Sequence, residues 1–270
     1  MVWYKMNDYI KEYKNSLSPE FCKHVIDVFE NEPAKYDGKT VGGVLPDVKK
    51  TTDYSIIAHK EKDDNWLQIE KHLSEELQSK LLLYIKHLLD ASLMNYNYFK
   101  TNKALTCKSF IVGKYLENDG KYIYHTDTII DWEKQTSRMF TFIWYLNDVL
   151  EGGETEFFRN LKIKPEVGKL IFFPSNECFP HCGCMPISSN KYIIVGWLLV
   201  NESKEVKEQI KEQIKEQIMN NDLCDIAKEL DEILNNIIDD TNVKYVGVVT
   251  DNVVNTEKNE PSYGRIYRTL

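Results

Sequence analysis

Apolar side chains fall at helical spacing in two stretches of the first hundred residues. In the first, Phe21, Val25, Ile26 and Phe29 form a stripe behind Ser18 and Pro19. Serine can cap a helix by accepting from its free amides, and proline suits the first helical position, so a helix is predicted from about Leu17. In the second, Ile69, Leu73, Leu77, Leu81, Ile85 and Leu88 recur every three or four residues, which predicts a helix over about Trp66 to Leu93. Between them YDGKTVGGVLPDVKKTTDY gathers Gly38, Gly42, Gly43 and Pro46. That is the composition of turns, and a loop over Gly38 to Lys50 able to act as a flap is expected.

From Ala104 to Val200 the period changes. LTCKSFIVGKY, YIYHTD, MFTFIWYL, TEFF, KLIFF and YIIVGWLLV are short runs rich in β-branched and aromatic residues, separated by NDG, EGGE and PEVGK. Six or more strands without intervening helices predict an antiparallel sandwich or barrel. Beyond Val200 the pattern is helical again. KEQIKEQIKEQI spans Lys207 to Ile218, with Val206, Ile210, Ile214 and Ile218 four apart and Glu and Lys supplying i,i+3 pairs. The stripe resumes at Leu223, Ile226, Leu230, Ile233 and Ile237. A long amphipathic helix is expected there, covering the sheet in preference to binding a partner. NVKYVGVVTDNVV has strand character, and TEKNEPSYGRIYRTL reads as an exposed end. The fold class is therefore α+β, in one integrated unit of three parts. Residues 1–103 form an N-terminal helical and loop support region, 104–200 the β core, and 201–270 a C-terminal helical extension and tail.

Composition narrows the classes. A chain of 270 residues buries roughly three quarters of its unfolded surface and needs no disulfide framework. With 42% apolar and 28% charged residues it is ordinary globular material. A net charge of −8 argues against a general nucleic-acid binder, which needs surplus cations to displace counterions. The opening MVWYKMNDYIKEYK lacks the apolar core of a signal peptide, and no apolar run approaches the roughly 18–20 residues of a membrane span. A soluble cytoplasmic protein is expected, with Cys22, Cys107, Cys178, Cys182, Cys184 and Cys224 as thiols. Arg138, Arg159, Arg265 and Arg268 are the only arginines; with many Asn and Ile, this hints at AT-rich coding, as in some viruses and low-GC microbes.

One constellation carries chemistry. In a strand, alternate side chains share a face, so His125 and Asp127 of YIYHTD would point the same way and could grip one divalent metal. His181, in NECFPHCGC after the strand KLIFFP, is the natural third ligand. Two neutral imidazoles and one carboxylate form the facial triad that suits Fe(II) and leaves three coordination positions open. Lys191 lies ten residues beyond His181 and opens an apolar strand, where an ammonium needs an anionic partner. The distal carboxylate of 2-oxoglutarate would supply one. Tyr115, ten residues before His125, could donate its hydroxyl to the same carboxylate, and Thr155 of GGETEFF reads as structural.

The runs KYLENDGKYIYHTD, RMFTFIWYLNDVLEGGETEFF and KPEVGKLIFFPSNECFPHCGCMPISSNKYIIVGW together resemble an Fe(II)- and 2-oxoglutarate-dependent oxygenase of the prolyl 4-hydroxylase type. The resemblance covers roughly Cys107 to Val200. It implies a double-stranded β-helix (jelly roll) buttressed by the preceding helices. It implies iron ligands His125, Asp127 and His181, catalytic and co-substrate duties for Lys191, and co-substrate contact from Tyr115. Trp197 takes a position typical of the last core strand. Fe(II), 2-oxoglutarate and dioxygen are the expected cofactor and co-substrates, with ascorbate as a further one. The expected reaction hydroxylates an unactivated C–H, foremost a prolyl residue of a peptide or protein, releasing succinate and CO2.

Other readings compete. Cys178, Cys182 and Cys184 bracket His181 and could hold zinc, but a stretch of seven residues can hardly wrap a tetrahedron. The same thiols beside a ferrous centre could be prone to oxidation. The substrate could be a free amino acid or another small molecule, or the barrel could be a non-catalytic binding or assembly module. His24, His59, His72 and His87 have no ligand partner at useful spacing. Oligomeric state is not legible.

Overall fold

Two helices form where the apolar stripes predict them. Helix α1 spans Pro19–Asn31, and Ser18 caps it by accepting from the Phe21 amide at 3.1 Å. Helix α2 spans Asp64–Asp90, with Asp63 accepting from the Asn65 amide at 2.7 Å. It ends short of Leu93 because Ser92 turns into the left-handed region at φ 55°. This computed structural model describes residues 6–56, 63–94, 105–131 and 136–201. The KEQI repeat, the later apolar stripe, the tail, Cys224 and His59 lie outside the described residues.

Most of the remaining elements form two antiparallel sheets. The larger has Lys11–Tyr13, Leu170–Pro174, Thr136–Tyr145, Lys191–Asn201, Ile111–Tyr115, Thr52–Ser55 and Tyr36–Asp37 as successive neighbours. Ile130–Asp131 and Leu105–Cys107 add to its Thr136–Tyr145 and Lys191–Asn201 strands. The smaller runs Leu161–Ile163, Thr155–Phe157, His181–Gly183, Lys121–His125 and Lys49–Lys50. Strands from the first 56 residues thus pair into both sheets. Inside the expected loop, Lys39–Thr40 and Gly43–Val44 pair as a short separate hairpin.

Alternation along the central strands explains where the core sits. Phe140, Phe142 and Trp144 share one parity, and they pack with Leu170, Phe172, Ile194 and Leu198 against both helices. Tyr84 of α2 stacks on Phe172 with centroids 5.0 Å apart. The opposite parity, Ile143, Tyr145, Ile171, Phe173 and Ile193, joins Tyr115, Phe157, Ile163 and Phe179 in a second cluster toward the smaller sheet. A strand buried on both faces loses its polar alternation, which is why MFTFIWYL reads as nearly continuous apolar sequence. The polar exceptions, Thr141 and Lys191, are both buried, and both belong to the site. Among the described residues no helix is long and apolar enough to cross a membrane.

Candidate metal centre

His125 closes the strand Lys121–His125 and His181 opens the strand His181–Gly183; the two are direct cross-strand partners. Their ring centroids stand 4.3 Å apart. Asp127 does not share the strand, contrary to the alternation argument: the strand ends at His125 and Asp127 follows in irregular backbone. It reaches the imidazoles nonetheless. Its Oδ1 lies 3.8 Å from His125 Nε2, and its Oδ2 lies 3.6 Å from His181 Nε2. One donor atom from each of the three residues falls within 4.8 Å of the others.

The second nitrogen of each ring fixes its orientation. His125 Nδ1 meets the Ile123 carbonyl at 2.8 Å, and His181 Nδ1 meets the Phe179 carbonyl at 3.1 Å. With Nδ1–H donating to each carbonyl, both Nε2 lone pairs face Asp127, as metal ligation requires. Burial, then the neighbouring His181, lowers the His125 pKa to about 4, so the ring is neutral near pH 7. Burial works to raise the Asp127 carboxyl, but the two imidazoles and the Thr141 hydroxyl outweigh it and keep it ionised. Two imidazole nitrogens and one carboxylate oxygen fit a hard-to-borderline divalent cation such as Fe(II), with positions to spare. Among the described residues this is the group of three or more such donors that could hold a metal.

Thr141 supports the carboxylate. Its hydroxyl donates to Asp127 Oδ2 at 2.7 Å and shares a 2.8 Å contact with Ser175 Oγ. Replacing it with isosteric valine should weaken Fe(II) binding about tenfold with little loss of stability, since partners behind metal ligands are typically worth that much. An anaerobic Fe(II) titration checks this, and an unchanged dissociation constant would reduce Thr141 to packing.

Lys191 and Tyr115 are also cross-strand partners. The ammonium lies 4.1 Å from the Tyr115 ring centroid and donates to the Gly153 carbonyl at 2.9 Å. Gly152 and Gly153 adopt φ of 72° and 73°, which L side chains rarely take, so the paired glycines of GGET are what aim that carbonyl inward. Lys191 is 1% exposed. Among the described residues no carboxylate lies within salt-bridge distance of it, and burial lowers its pKa to about 8 against the pull of Cys184, Glu154 and Cys182. An unpaired buried cation of this kind suits an anionic group. Gly183 leaves room for Tyr115, since a Cβ there would lie 3.0 Å from the phenol oxygen. Thr155 accepts from the Tyr145 hydroxyl at 2.7 Å, a structural contact as expected.

Several neighbours escaped the sequence reading. Tyr122 stacks on His125 at 3.6 Å although the two are three residues apart; a register shift opposite Cys182 puts both on one face. Arg138 lies 3.5 Å over the Trp197 ring and reaches the Asp127 carbonyl at 3.4 Å. The Trp197 indole N–H is buried without a partner. One of only four arginines in a lysine-rich chain, and a threonine inside an apolar strand, were the available signals. Among the described residues no cysteine belongs to a group of three donors that could hold a metal; Cys182 and Cys184 sulfurs sit 3.9 Å apart, and burial, then Cys182, pushes the Cys184 thiol up to about 12. His87 is bound to the Asp8 carbonyl at 2.9 Å, and His72 packs on Phe21.

Residues 110–199 match the family model described as the 2OG-Fe(II) oxygenase superfamily. A probable prolyl 4-hydroxylase 10 of Arabidopsis thaliana is 26% identical over 226 residues, covering 71% of this chain and 69% of its own. Two solved structures share the fold. A Trichoplax adhaerens prolyl hydroxylase, in complex with a hypoxia inducible factor oxygen degradation domain peptide fragment, has a TM-score of 0.54 at 20% identity, over 71% of this chain and 83% of that one. A Pseudomonas putida prolyl-4-hydroxylase has a TM-score of 0.50 at 16% identity, over 70% and 92%.

Proposed function

We propose, on the premise that this chain is a 2-oxoglutarate-dependent oxygenase of the prolyl 4-hydroxylase type, that it hydroxylates a prolyl residue within a peptide or protein. The observation that carries the reading is the convergence of His125, Asp127 and His181 within 4.8 Å, beside an unpaired buried lysine. The two-sheet arrangement is taken as the double-stranded β-helix.

In this reading His125 Nε2, His181 Nε2 and an Asp127 oxygen hold Fe(II). When bound, the iron and 2-oxoglutarate together supply the oxidising power that inserts one oxygen atom of dioxygen into a C–H bond, with succinate and CO2 as co-products. The protein supplies geometry. Lys191 binds the distal carboxylate of 2-oxoglutarate, the Tyr115 hydroxyl donates to it, and the aromatic ring beneath the ammonium excludes water from the pair. Arg138, which reaches the Asp127 carbonyl and lies over the Trp197 ring, binds a peptide carbonyl and orients the prolyl ring. The loop of residues 38–50 closes over the peptide, its exposed Val41, Val44 and Leu45 offering apolar contact. Ascorbate has no assigned place among the described residues.

The relatives named as prolyl hydroxylases, one of them in complex with a peptide, favour a peptide over a free amino acid. The test is a peptide-array incubation with Fe(II), 2-oxoglutarate and air, read by mass. A gain of one oxygen on proline-containing peptides, matched by succinate, is the expected result. Succinate release stimulated only by free amino acids or other small molecules would replace the peptide reading.

A further inference from the structure

The flap is rooted in a buried ion pair that the reaction as described does not use. The chain crosses from the smaller sheet, at Lys49–Lys50, to the larger, at Thr52–Ser55. At this corner Lys49 Nζ meets Asp53 Oδ2 at 2.6 Å, with side chains only 12% and 4% exposed. Thr51 donates to the other carboxylate oxygen at 2.8 Å. Both feet of the flap stand here. The Gly38 amide donates to the Thr51 carbonyl at 2.8 Å, and the Ile123 amide donates to the Val48 carbonyl at 2.9 Å. No side chain fits at Gly38, where a Cβ would come within 2.1 Å of the Thr51 hydroxyl.

Apolar residues often replace a buried ion pair without loss of stability, so folding alone is a weak reason for this one. Its placement offers another. Lys49 Nζ lies over the Tyr122 ring, 5.5 Å from the centroid. The same ring is stacked on His125, with centroids 3.6 Å apart and an interplanar angle of 15°. The carboxylate holds the ammonium, the ammonium holds the phenol ring, and the ring sets the plane of the imidazole.

We propose that Asp53 and Lys49 are positioning residues for the metal centre, which link the root of the flap to the orientation of His125 through Tyr122. The proposal rests on the iron-binding reading of His125. By reciprocity, a metal that fixes His125 must also steady the flap root, and a flap held down must favour the metal.

The test uses the full chain without substrate. Asp53→Asn and Lys49→Met should each weaken Fe(II) binding about tenfold in an anaerobic titration, as is typical for groups behind metal ligands. The double variant should lose no more than either single one, because the pair acts as a unit. Lys50→Ala, which breaks only the surface pair with Asp119, should bind like the parent. Fe(II) should slow amide hydrogen exchange over residues 38–49 in the parent and leave it unchanged in Asp53→Asn. Should Asp53→Asn prove poorly folded, Tyr122→Leu severs the link without touching the ion pair and should give the same two changes. Parental iron affinity in Lys49→Met and Tyr122→Leu, whatever their melting temperatures, would overturn the proposal and leave a corner brace. Equal iron binding by the parent and Asp127→Ala would instead overturn the metal reading beneath it.

Discussion

Asp127→Ala abolishes turnover and lowers Fe(II) affinity by about a hundredfold or more, equivalent to roughly 2.7 kcal/mol. The carboxylate is the single anionic donor of the cluster, and its two oxygens face the two imidazoles at 3.8 and 3.6 Å. Alanine leaves two neutral nitrogens, which hold a hard ferrous ion weakly. The variant should still fold, because the residues that carry the sheet, Phe142, Ile171 and Phe173 among them, are untouched. Metal analysis of anaerobically loaded protein and the rate of conversion of 2-oxoglutarate to succinate are the two measurements. Parental values in both would place the metal elsewhere.

Lys191→Ala acts on the co-substrate instead. It should raise the 2-oxoglutarate concentration needed for half-maximal turnover by about a hundredfold, the worth of a charge-assisted bond in a dry site. Iron affinity without 2-oxoglutarate should not change. Lys191→Met, which keeps the volume, should behave alike, separating lost charge from lost packing. The parent should show a matching pH dependence. Burial brings the ammonium from its ordinary 10.5 down to about 8, so above that pH the free site increasingly holds a neutral amine. Affinity for 2-oxoglutarate should therefore be flat below about pH 8 and fall as pH rises through it. The stability of the ligand-free protein should move the other way over this interval. The unfolded chain binds the lysine proton up to the higher pKa, so unfolding takes up a proton and stability rises with pH. Co-substrate titrations at several pH values check the first trend, and thermal melts of the apoprotein check the second.

What could be read from the sequence was what is local. The Ser18–Pro19 helix start needs only neighbours in sequence to be recognised. His125 and Asp127 were legible as a pair because strand period is a short-range rule, whereas His181 and Lys191 were legible only as candidates beside later apolar strands. Asp127 shows the limit of those rules: it meets the histidines from irregular backbone, where alternation predicted a strand. Thr141 was hidden because its partner lies fourteen residues away and its strand is apolar on both faces. The Lys49–Asp53 pair was hidden because a stretch read as a loop crosses between two sheets, and nothing in a turn-rich composition announces that crossing.

The register shift opposite Cys182 has a consequence of its own. In an unbroken strand, positions three apart project to opposite sides, so an aromatic ring could never lie flat on the imidazole that follows it by three. The supernumerary residue between Tyr122 and His125 makes that stack geometrically attainable. This stretch is consequently length-critical: the half-exposed Ile123 can exchange for other side chains, whereas loss of a single codon would rotate the ligand out of phase with its partners.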